Sequence, residues 1–282
     1  MNTISSVVVM AAMTGILAGP LVNAVGAEDQ SDADATWSAQ LDQAHHLFYS
    51  GRYEASAALA LDIRAGDANN LEASELRTSA LHFQIRRALG EPKDRDKAWK
   101  LCATCQELMP VFLAEFALGR AGARARLAAN PADEEALFFL GKLDLNYVWL
   151  QVATVGRRTG WSEYWEARKS LDAVLTRHPD HTRARVARAW IDYIVDTKFP
   201  RGTKWLAGGG NKKRGLLVVR DAAQADTEPF VRAEAMFALW DMQVRERQFA
   251  DAIVTARALA LDFPDNRELT KFIAEQELQT NR

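Results

Sequence analysis

The chain has 282 residues, 48% hydrophobic and 26% charged, with 16 Gly, 8 Pro and 2 Cys, a balance that excludes collagen-like, disordered and cysteine-stapled classes. Its 35 basic and 37 acidic residues leave a formal charge of −2, so the surface as a whole is no electrostatic trap for nucleic acid and a charged partner must meet a local patch.

Residues 1–27 carry no charged side chain, and Val7 to Leu17 is a short apolar run followed by Pro20 and by Val25-Gly26-Ala27 before Glu28. That is the pattern of a secretory signal peptide cut after Ala27. The run is too short for a membrane span, no later stretch reaches 18 uninterrupted apolar residues, and no Cys follows the cleavage region to carry a lipid. The expectation is a periplasmic or secreted protein with no span once the signal is removed; retention of the segment as an anchor is the alternative. Residues 28–75 hold ten acids against Arg52 and Arg64. The first of them, 28–36, reads as an acidic linker into a helical domain over 37–282.

Proline punctuates that domain, because inside a helix it loses a hydrogen bond and clashes with the preceding turn. Pro92, Pro110, Pro131, Pro179, Pro200, Pro229 and Pro264 cut the chain into pieces of helical length. Between them apolar residues recur at three- and four-residue spacing, as in Ala252, Ala256, Leu259 and Phe263. Leu216 to Val219 reads as buried helix, and no sheet is expected. Cys102-Ala-Thr-Cys105 admits three readings: packing, a local disulfide or redox pair, or half of a metal site. A haem site needs His where Gln106 stands, and a metal site needs two further ligands that no second CxxC or close His pair supplies. His178-Pro-Asp-His181 reads as a turn between hairpins. Neither a nucleophile elbow nor a Walker A pattern occurs; no catalytic residues, cofactor or metal are assigned.

The pieces resemble one another. Ala136 and Ala184 each follow a proline by five residues, and Leu140-Gly141 supplies the small residue where a second helix must approach closely. Tyr164, Ala167, Leu171 and Val174 precede Pro179 at the same offsets as Phe249, Ala252, Ala256 and Leu259 precede Pro264. This seam resembles the tetratricopeptide repeat, a helical hairpin of about 34 residues with an aromatic, Ala, Ala, Pro order. The resemblance covers most of residues 37–279, with a weaker N-terminal unit around Gly51-Arg52-Tyr53, where Ser56 and Ala68 replace the expected Ala and Pro. Irregular insertions fall near 148–161 and 197–211, and residues 266–279 form a capping helix. It implies an all-α fold of antiparallel hairpins stacked as a right-handed superhelix.

In such a solenoid the first helix of each hairpin lines the concave side. Counting from the good matches places Phe138, Lys142, Trp149, Arg183, Trp190, Tyr193 and Arg245 there, an aromatic and Arg-rich groove of the kind that anchors peptides. Asp144 and Asp192 sit mid-helix, where inter-helix pairing is the default. Residues 157–220 carry fifteen basic against six acidic side chains. Within them Lys204, Gly208, Gly209, Gly210, Lys212, Lys213 and Arg214 form a candidate anion-binding loop, its competing reading a solvated connection. The expected function is therefore an exported, non-enzymatic scaffold for a protein or peptide partner, with no nucleic acid involved. The alternative is a small-ligand-binding component of a periplasmic solute transport system.

Overall fold

The structure, a computed structural model, describes residues 25–157, 159–200 and 202–280. The signal peptide expected over residues 1–27 lies, but for its last three residues, outside them. The described chain is all-α, 81% helical and without a strand among the described residues. No single helix among them is long and apolar enough to cross a membrane. Two compact units divide the chain, residues 1–36 and Trp37–Arg282, and the packing below belongs to the second.

The helices run in hairpins: α1 (Val25–Tyr49) with α2 (Tyr53–Gly66), α3 (Leu71–Leu89) with α5 (Ala103–Ala129), and α6 (Glu134–Val148) with α7 (Trp161–Arg177). Then come α8 (Thr182–Lys198) with α9 (Lys212–Ala223), and α10 (Pro229–Arg245) with α11 (Phe249–Asp262), closed by α12 (Arg267–Thr280). A short α4 (Arg95–Leu101) lies in the turn between α3 and α5. Residues with short polar side chains start several of these helices by capping a backbone N–H: Asn70 accepts from Ala73, Asp133 from Ala136, Asn211 from Arg214, and His181 Nδ1 from Ala184.

Each helix packs on its neighbours in sequence, and the apolar cores are correspondingly strung out: one between α1, α2 and α3, the next between α2, α3 and α5, then α5 to α8, then α8 to α10. A hairpin alone cannot bury its apolar face, so each core is shared by two or three hairpins. The seam positions behave accordingly. Ala136, Ala167, Leu171, Val174, Ala184, Ala252, Ala256 and Leu259 have no exposed surface. A Cβ on Gly141 would stand 2.9 Å from Leu171 Cγ; only glycine lets α6 and α7 approach so closely. Ser56, in place of Ala, is also fully buried because its hydroxyl donates to Ala44 O at 2.9 Å.

The stack turns back on itself. His45 of α1 stacks on Phe230 of α10 with ring centroids 4.5 Å apart, and Tyr49 stacks on Phe237 at 5.2 Å. Asn266 Nδ2, just before α12, donates to Tyr49 O at 2.7 Å. A core of Tyr49, Ala233, Ala256, Leu259, Phe263 and Leu269 thus joins the first helix to the last three.

Two readings need correction. Pro110 does not end a helix but lies inside α5; the roughly 3 kcal/mol that an interior proline costs is outweighed by the apolar face buried along 27 residues. Leu216 to Val219 is helical, yet only Val219 is fully buried and Leu217 is exposed.

Candidate functional site

The first helices of the hairpins, α1, α3, α6, α8 and α10, bring side chains together along one shared face. Its centre is ionic. Arg183, in the first turn of α8, donates from Nη1 to Glu72 Oε1 at 2.6 Å and from Nε to Glu234 Oε2 at 2.8 Å, and its Nη2 stands 3.7 Å from Glu75 Oε2. Lys142 of α6 pairs with Glu234 and lies 3.7 Å from Glu75. His45 Nε2 is 3.0 Å from Glu72 Oε1. Asn146 Nδ2 donates to Glu75 Oε1 at 3.1 Å and to Ser79 Oγ at 2.9 Å, and Ser79 Oγ donates back to Glu75 at 2.9 Å. The guanidinium of Arg183 also sits over three rings, 5.1 Å from Phe138, 5.6 Å from Phe139 and 5.3 Å from Phe230.

Burial and charge oppose one another here, and charge wins. Burial pushes the Glu72 carboxyl up, but the hydrogen bond from His45 and the Arg183 charge hold it at about 2. Burial likewise raises Glu234, which Lys142 and Arg183 pull down to about 2. Desolvation alone would lower Lys142 and Arg183, yet the surrounding carboxylates raise both. Glu72, Glu234, Lys142 and Arg183 therefore stay charged and tie α3, α6, α8 and α10 together; breaking one such buried pair is strongly destabilising. Arg183 and Lys142 were expected on this face, but Glu72, Glu75, Glu234, His45 and Asn146 were not.

The groove residues expected from spacing fall into three places. Phe138, Lys142 and Arg183 belong to the buried cluster just described. Trp190 and Arg245 form a second group: Trp190 is half-buried and packs on one side against the core between α8 and α10, the Arg245 guanidinium lies 5.7 Å above its ring, and Arg245 Nε donates to Asp241 at 3.0 Å. Tyr193 stands edge-on to Trp190 at 5.7 Å, but it is buried and its hydroxyl donates to Glu246 at 2.9 Å. Trp149 is apart from both, at the start of a π-helical segment (Trp149–Val155), packed against the core between α6 and α8.

Two further ion clusters link helices on the other side of the stack. Glu115 of α5 forms ion pairs with Arg64 Nε at 2.8 Å and Arg77 Nε at 3.0 Å. Asp144 faces Arg120 Nε of α5 at 3.0 Å, and Arg120 is shared with Glu163 and Glu166 of α7. Burial drives the Asp144 carboxyl up to about 8 against the lowering pull of Arg120. Asp192, by contrast, pairs within its own helix, with Arg188 at 2.6 Å. His178 pairs with Glu134 at 2.8 Å.

In the basic loop the glycines answer to geometry. Gly208 and Gly209 take φ of 73° and 75°, and a Cβ on Gly210 would lie 2.6 Å from Asp192 O. Arg168 draws in the carbonyls of Ala207, Gly208 and Gly209, so the loop turns acceptors, not amides, toward the nearest cation. Lys204 pairs with Asp196 and Lys212 with Glu246; Lys213 and Arg214 are exposed and make no ion pair among the described residues. Cys102 and Cys105 are joined by a disulfide at the start of α5, Cys105 fully buried and Cys102 half-buried. No group of three or more His, Cys, Asp and Glu side chains suited to a metal occurs among the described residues. No protein-family model matches the chain, and no curated protein or solved structure matches it.

Proposed function

We propose that the protein is an exported, non-enzymatic scaffold, a tetratricopeptide-like right-handed superhelix that binds a protein or peptide partner on the open part of its concave face. The observation that carries this reading is the pair Trp190 and Arg245, an aromatic anchor with a guanidinium stacked on it, presented by two packed helices and only partly covered. Trp and Arg are the side chains that most often dominate such interfaces, and fixing them on rigid helices lowers the entropic cost of binding. The ion cluster around Arg183 supports this role: its charges are paired with one another, and Arg183 ties α8 to α3 and α10. Export rests on the charge-free first 27 residues with their apolar run.

The test is capture of the partner from an envelope fraction with the purified chain as bait. Trp190→Ala weakens the complex about thirty-fold, the size of an interface hot spot, and Arg245→Ala weakens it less. Trp149→Ala, packed against the core, leaves affinity unchanged once folding is confirmed. A complex indifferent to both Trp190→Ala and Arg245→Ala contradicts the reading. A small molecule bound stoichiometrically in native mass spectra, with no protein captured, places the chain with solute-transport components instead.

A further inference from the structure

In a hairpin stack the turns that join the first helix of each hairpin to the second fall on one edge. Two of these turns are tight, Ser50–Arg52 and Glu246–Gln248. The three between them are enlarged: residues 90–102 contain α4, 149–160 the π-helical segment, and 199–211 a 3₁₀ turn (Lys204–Ala207). The first touches the second, and the start of α7, which follows the second, touches the third. The Arg157 guanidinium lies 5.6 Å above the Trp99 ring, and a Cβ on Gly156 would stand 3.2 Å from Arg95. Trp161 is 5.8 Å from Trp165 and 6.4 Å from Phe199. Tyr164 Oη donates to Ala207 O at 2.7 Å, fastening the 3₁₀ turn to α7.

The strip so formed is apolar and basic at once. Leu101, Val152, Trp161, Trp165, Trp205 and Leu206 are all exposed, Trp205 to 72%. Residues 90–102, 149–165 and 199–214 together hold eleven Lys or Arg against four acids. Lys97, Lys100, Arg157, Lys213 and Arg214 are exposed and make no ion pair among the described residues. Exposed indoles are costly to leave in water, and three of them, Trp161 and Trp165 at the start of α7 and Trp205 in the 3₁₀ turn packed on α7, form a patch that calls for an occupant.

We infer that this edge is a docking surface for an anionic phospholipid bilayer. Indole rings settle at the headgroup level of a membrane, apolar body inward and N–H outward, and unpaired Lys and Arg beside them gain from the negative surface potential. A row of turns along one edge presents these groups side by side, as a flat lipid surface requires. The attachment is peripheral, and Trp190 and Arg245 belong to none of the three turns. The inference is independent of the partner assigned to the concave face.

The experiment is flotation of the full chain with vesicles of phosphatidylcholine alone or with about one-third phosphatidylglycerol, at low salt and near 0.5 M, with Trp quenching by brominated phosphatidylglycerol read in parallel. We expect binding at least tenfold tighter on the anionic vesicles, lost at high salt, and accompanied by quenching. Replacing Trp161, Trp165 and Trp205 by Ala together lowers it about tenfold or more, as does Lys213→Gln with Arg214→Gln. Trp205→Ser with Leu206→Ser, at exposed positions, gives a weaker loss with unchanged helical circular dichroism, which separates docking from folding. Absence of flotation overturns the inference. So does flotation that is equal on neutral vesicles and survives loss of the indoles, because the apolar run at residues 7–17 then accounts for it. Binding to polyglutamate in place of vesicles also overturns it and assigns the strip to an acidic protein.

Discussion

Replacing Arg183 by Met tests whether the ion cluster is what locks the concave helices. The substitution keeps the apolar stem against Phe138 and Phe230 but strands Glu72, Glu75 and Glu234 with Lys142 and His45. Arg183 is 8% exposed, and removing one partner of a buried ionic group costs about 3–5 kcal/mol, because the remaining charges lose their compensation. For a domain of this size that lowers the melting temperature by about 6–20 °C. The loss depends on pH in a definite direction. Glu72 and Glu234 are held at about 2, below the ordinary value of 4.5, so the stability they contribute is complete above 4.5 and is lost as pH falls toward 2. Arg183→Met removes much of that depression, and the gap between the two proteins narrows through the same window. Urea unfolding at pH 7, 5 and 3 reads both effects. A loss under about 1 kcal/mol at pH 7, or a gap that stays constant down to pH 3, refutes the reasoning.

Asp144 behaves in the opposite sense. Its carboxyl is raised to about 8 in the folded chain from 3.8, so ionisation opposes folding increasingly as pH rises from 4 to 8. Asp144→Asn therefore stabilises the protein at pH 8 and has little effect near pH 4, as thermal unfolding at the two values shows. Gly141→Ala destabilises by about 1–3 kcal/mol, since the added methyl meets Leu171 at 2.9 Å; an unchanged unfolding midpoint contradicts the close helix approach. Freshly purified, unreduced protein resists alkylation at Cys102 and Cys105 and weighs two protons less than the reduced form. The bridge closes only a short loop, so Cys102→Ser with Cys105→Ser costs little stability.

The hairpins were legible because their seams repeat locally. Tyr164 to Val174 and Phe249 to Leu259 share one set of offsets, and those offsets mark surfaces that only a neighbouring helix can cover. Gly141 was legible for the same reason. The ion cluster was not, because its members are scattered over the chain: His45, Glu72 and Glu75, Lys142, Arg183 and Glu234. Glu72 and Glu75 look in sequence like part of an acidic front on a solvated face, and only the return of α10 onto α1 and α3 turns them inward. That return is set by side chains on α1 and α10 to α12, His45, Tyr49, Phe230 and Asn266 among them, which no repeat pattern relates. Pro110 was misread from propensity alone, overridden by the long α5 core.

The central claim is that the concave face, at Trp190 and Arg245, meets a protein partner. A photo-crosslinking amino acid at position 190, expressed in cells that export the chain, tests it most directly. The account predicts a discrete crosslinked protein band at position 190 that Arg245→Ala diminishes, and no such band from position 217, an exposed residue on α9. Crosslinking to the same protein from position 217 but not from 190 would contradict it.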